Sequence, residues 1–76
     1  MTAKETIQKS LEKGFGFMLS LDWETLCKLH YFVLSSHPAY KSSFETYRTE
    51  AKKHLSKFHL VGMIARDFAQ NKNYID

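Results

Sequence analysis

The sequence predicts an all-α fold, a compact bundle of three to four helices around a central apolar helix at about residues 22–36. Two observations carry that expectation. From Asp22 to Ser36 the chain reads DWETLCKLHYFVLSS, and at about 3.6 residues per turn Trp23, Leu26, Cys27, Leu29, His30, Tyr31, Val33 and Leu34 cover more than half of the circumference. A helix so widely apolar needs neighbours on two or three sides. The flanking segments supply them, because they carry apolar stripes at helical spacing and show no strand-like alternation of useful length. Repeats and low-complexity tracts are absent, so a single domain over residues 1–76 is expected.

The first helix is predicted over Thr2–Lys13. Thr2-Ala3-Lys4-Glu5 is a capping-box pattern, in which each side chain satisfies the other residue's free amide. Ala3, Ile7 and Leu11 form a narrow stripe, so this helix lies on the outside of the bundle. Gly14 supplies the positive-φ residue that ends a helix, and Gly16 allows a second turn. The connector Phe15–Leu19 is apolar and reads as a buried crossing or a short helical turn. Ser20 or Asp22 caps the central helix, and with Asp22 as cap, Leu21 and Leu26 take the two positions of a hydrophobic staple.

Pro38 ends the central helix near Ser35–His37, since the residue before a proline is pushed out of the helical region. Ser42-Ser43-Phe44-Glu45 offers a second capping box for a third helix from about Ser43 to Lys57. Phe44, Tyr47, Ala51, Leu55 and Phe58 make its predicted inward face. A fourth helix over about His59–Gln70 carries Leu60, Val61, Ile64, Ala65 and Phe68 on one side. No glycine or proline marks the junction near Ser56–His59, so one long bent helix is an alternative. Residues 71–76 are expected to fray, unless Tyr74 and Ile75 fold back.

A chain of 76 residues buries only roughly 60% of its unfolded surface, so the expected stability is a few kcal/mol. The single cysteine makes no intrachain disulfide, which points to a reducing, cytoplasmic setting. The N-terminus lacks the apolar core of a signal peptide, and no apolar run is long enough to span a membrane. A formal charge of +3 is mildly basic.

Cys27-x-x-His30 with His54 and His59 is the most chemical-looking set, as thiolate and imidazoles at one-turn spacing can share a metal. His54 and His59 fall more than a quarter-turn off a common face, and Cys27 and His30 sit on the most apolar side of the central helix. A buried thiol and a hydrogen-bonded core histidine are therefore expected, with no metal or other cofactor. No nucleophile comes with a base and an orienting carboxylate, no DxD or ExxH spacing occurs, and the two glycines near Phe15 lack the rest of a phosphate loop. An enzyme is not expected.

Phe32 falls within the polar strip of the central helix, beside Lys28, and Tyr40 is another aromatic that a bundle this small has difficulty hiding. Phe32, Lys28 and Tyr40 are thus the candidate protein-binding residues of a non-enzymatic regulator or adaptor, with self-association as a further option. The alternative is a small nucleic-acid-binding protein. Lys41, Arg48, Lys52, Lys53 and Lys57 cluster on the outer side of the third helix, although Glu45 and Glu50 interrupt them. Val61–Ala69 has the spacing of the first helix of a helix-turn-helix, but the residues after it are too few for a recognition helix.

Overall fold

The structure, a computed structural model, describes residues 2–75. Helix α1 (Ala3–Lys13) begins on the predicted capping box. The Thr2 hydroxyl accepts from the Glu5 amide at 3.2 Å, and the Glu5 carboxylate accepts from the Thr2 amide at 3.4 Å. Its inner stripe differs from the expected one: Ile7 and Ser10 are buried, while Leu11 is exposed. Ser10 tolerates the interior because its hydroxyl donates back to the Thr6 carbonyl at 2.7 Å, leaving no unmet polar group. Gly14, at φ 96°, ends α1 in a conformation that side-chain-bearing residues avoid. Gly16 makes no second turn, because it lies inside α2 (Phe15–Leu19), a five-residue helix that buries Met18 and leaves Phe15 exposed.

Helix α3 (Trp23–Ser35) is the predicted central rod, capped by Asp22, whose carboxylate accepts from the Thr25 amide at 2.8 Å. Leu26, Cys27, Leu29, His30 and Val33 are buried along it. Leu26 and Val33 are fully enclosed, and a side chain of this kind gains roughly 1.5–3 kcal/mol from leaving water. The helix stops before Pro38, and residues 36–43 cross to α4 (Phe44–His54). Ser43 caps α4, accepting from the Thr46 amide at 3.2 Å, so the expected box from Ser42 to Glu45 does not form. Ser42 is drawn away because its carbonyl accepts from the Tyr31 hydroxyl at 2.8 Å.

Third and fourth helices are separate. α4 ends short of the expected Lys57 because Leu55 turns extended, with φ −118° and ψ 116°, and its carbonyl accepts from the Trp23 indole N–H at 2.9 Å. Ser56 then caps α5 (Lys57–Gln70), with the His59 ring in the place usually taken by an acid in a capping box. This break restarts the helical register, and Phe58, expected to face inward, is instead 76% exposed. One further turn, α6 (Lys72–Ile75), follows where fraying or folding back was expected. Ile75 packs against the core and the Tyr74 ring lies 4.7 Å from that of His37, while Asp76 falls outside the described residues.

Four long helices and two short ones thus make the bundle among the described residues. Its axis is a pair, α3 lying along α5, with α1 against both, α2 on α1 and α5, and α4 on α3. The radius of gyration, 11.5 Å, is that of a fully collapsed chain of this length, for which about 11.4 Å is expected. No helix among the described residues is long and apolar enough to cross a membrane.

Candidate functional site

The seam between α3 and α5 carries a polar series inside the apolar core. His30 on α3 and Asp67 on α5 meet at 2.8 Å between Nε2 and Oδ2, and His30 Nδ1 lies 2.6 Å from the Tyr47 hydroxyl on α4. All three side chains are buried. The chemistry sets the protons. An ionised carboxylate only accepts, so Nε2 carries the imidazole hydrogen; Nδ1 is then an acceptor, and the Tyr47 hydroxyl donates to it. Every polar atom of the series is satisfied, the condition under which a buried network strengthens a core. Burial holds the His30 pKa below that of a free imidazole, although Asp67 pulls the other way. Burial likewise raises the pKa of Tyr47, and that of Cys27, whose thiol interacts with the same hydroxyl.

Carboxylate, imidazole and hydroxyl stand in the order of a nucleophilic triad, with the terminal oxygen on a phenol that is buried and has a raised pKa. The series fastens three helices, α3, α4 and α5. Asn71 adds a second tie, its side-chain amide donating to the Val33 carbonyl at 3.1 Å.

At its Asp67 end the series reaches a surface cleft of about 300 Å³, lined by Leu34, His37, Ala39, Tyr40, Asp67, Gln70 and Asn71. Three segments build it: the last turn of α3, the crossing after it, and the last turn of α5. Each is held independently. The Ala39 amide donates to His37 Nδ1 at 3.0 Å, the Tyr40 ring meets Tyr31 edge-on at 5.9 Å, and Asp67 and Asn71 are tied to α3. A hollow of about 330 Å³ runs between Glu5, Gln8, Lys9 and Glu12, but its walls are surface side chains of α1 alone. An apolar recess of about 160 Å³ lies at Ser10, Leu11, Gly14 and Phe15.

The residues singled out from sequence scatter over the surface. Tyr40 lines the cleft, whereas Phe32 is half-buried against the core and Lys28 is exposed on α3. Arg48 is paired with Glu24 at 2.6 Å and lies 5.9 Å from the Trp23 ring centre, which holds the Glu24 carboxyl below its usual range. Lys53 is near Glu50, and the Lys57 ammonium donates to the Leu19 carbonyl at 3.1 Å. Lys41 and Lys52 are exposed. Both ring nitrogens of His30 are engaged with Tyr47 and Asp67, His54 and His59 lie exposed, and no group of three metal-ligating side chains gathers among the described residues.

Asp67 is the residue that sequence reasoning missed. Its signal was its register, since it follows Ile64 by three and Leu60 by seven, the spacing of one helix face. A carboxylate on the apolar side of a helix calls for an internal partner. Comparison of the chain with family models, with curated proteins and with solved structures finds no match.

Proposed function

We propose that this protein is a non-enzymatic binding module, a regulator or adaptor that docks a partner protein at the cleft between the ends of α3 and α5. One observation carries the reading: the cleft is built from segments already held in place before any partner arrives, the end of α5 tied to α3 through Asp67 and Asn71 and the crossing packed on α3 through Tyr40 and Tyr31. Such a site loses little conformational freedom on binding, so more of its contact energy appears as affinity. Tyr40, a residue type enriched at interface centres, stands on its wall with its ring already braced against Tyr31.

A photo-crosslinking residue placed at Ala39, on the exposed rim, tests the reading in cells of the native host. Discrete protein adducts are expected from Ala39 and not from the same probe at Thr49, on the outer side of α4. They should weaken when Tyr40→Ala is added. Adducts that are absent, or identical from both positions, overturn the docking role.

A further inference from the structure

Electrostatics narrows what the cleft accepts. Asp67 is the one carboxylate among the described residues that line it, and none of those residues is Lys or Arg. The cleft also lies at the C-terminal turns of both α3 and α5, where each helix macrodipole presents partial negative charge. Asn71 donates one of its two side-chain N–H groups to the Val33 carbonyl, and its Oδ1 remains an acceptor at the cleft. Tyr40 on the cleft wall is an aromatic side chain, the residue class with which cations and guanidinium planes associate.

Asp67 already has a cation beside it. Arg66 Nε lies 3.1 Å from Oδ1, and a guanidinium nitrogen 3.5 Å from Oδ2, while His30 holds Oδ2 from the interior. The Arg66 side chain is mostly exposed, and neighbouring positions on a helix do not share a face, so it bends round α5 to make this contact. Asp67 is buried and only the Arg66 end of the pair stands in water, so the guanidinium is the half that a competing cation can replace.

From this geometry, and resting on the docking role above, we infer that the cleft takes an arginine side chain of the partner protein, which stacks over Tyr40 and displaces Arg66 from Asp67. Arginine suits the site better than lysine, because its planar fork matches both the carboxylate and the ring. Arg66 is then an internal competitor that keeps the carboxylate covered until a partner arrives.

A blocked pentapeptide, Ac-Gly-Gly-Arg-Gly-Gly-NH2, titrated into the ¹⁵N-labelled full chain is the direct probe. Saturable amide shifts are expected at Tyr40, Gln70 and Asn71, and they should be absent with the neutral citrulline peptide and with the glutamate peptide. Arg66→Gln, which removes the competitor, should tighten binding about three- to fivefold, and Ala39→Lys should weaken it by about the same factor. Both are exposed positions, so neither variant depends on rebuilding the buried series. Equal shifts from arginine and citrulline, or weaker binding in Arg66→Gln, overturn the inference. Adducts from the Ala39 probe together with an inert arginine peptide sink the arginine assignment and leave docking intact. Peptide shifts without adducts sink docking, and the partner with it.

Discussion

Replacing Tyr47 with Phe removes one oxygen, the partner of both His30 Nδ1 and the Cys27 thiol. The ring keeps its place against His30, Tyr31 and Phe44, but His30 Nδ1 loses the donor 2.6 Å away. The imidazole has no escape by changing tautomer, because a hydrogen on Nδ1 would leave Nε2 as a lone pair aimed at the Asp67 carboxylate 2.8 Å away. An unsatisfied buried acceptor costs about 1–3 kcal/mol. A domain of this size loses about 4–8 °C of Tm per kcal/mol, so Tyr47→Phe should lower Tm by about 8–16 °C for a mid-range cost of about 2 kcal/mol. That is a large share of the few kcal/mol expected of a domain this small. Thermal and urea unfolding followed by circular dichroism at pH 8 measure the change, with an unaltered urea slope confirming that the folded and unfolded ensembles are comparable. A Tm within about 2 °C of the parent chain would show that the Tyr47 hydroxyl is not the donor on which His30 depends.

His30 also sets a pH dependence. Its pKa in the folded chain lies below the free value of 6.5, so the unfolded state takes up the proton first. Stability from this group is therefore complete above pH 6.5 and is lost as pH falls toward the folded value; Tm should drop between pH 7.5 and 5, and His30→Gln should flatten that stretch of the curve. A Tm that is constant or rising over that range contradicts the assignment. Trp23→Phe removes the indole donor to the Leu55 carbonyl, for an expected loss of about 1 kcal/mol and faster amide exchange at residues 55–57, whereas unchanged exchange there would refute the role of Trp23 at the helix break. Phe58→Ser should alter stability by less than about 0.5 kcal/mol because the ring is 76% exposed, and any self-association seen by sedimentation should diminish; strong destabilisation would restore Phe58 to the core.

Protein docking and nucleic-acid binding differ in what they ask of the surface. Phosphate recognition needs cations that are available: Arg48 and Lys57 are occupied with Glu24 and the Leu19 carbonyl, whereas Lys41 and Lys52 are exposed. The cleft asks for no such release apart from Arg66, which lies at its carboxylate.

Short-range pattern determined most of the helices, because caps and apolar stripes act over three or four residues. Thr2 with Glu5, Asp22 as one of two candidate caps, and the apolar breadth of Trp23–Leu34 each specified a local structure that forms. Contacts distant in sequence decided the rest. The junction at Leu55 is braced by an indole 32 positions earlier, and the register that restarts there leaves Phe58 facing outward. Asp67 is buried because His30, 37 positions away, satisfies its carboxylate, and the cleft exists because the same pairing brings two helix ends together. A periodic pattern states which face of a helix avoids water; which polar groups find partners across the core is settled only when the helices meet.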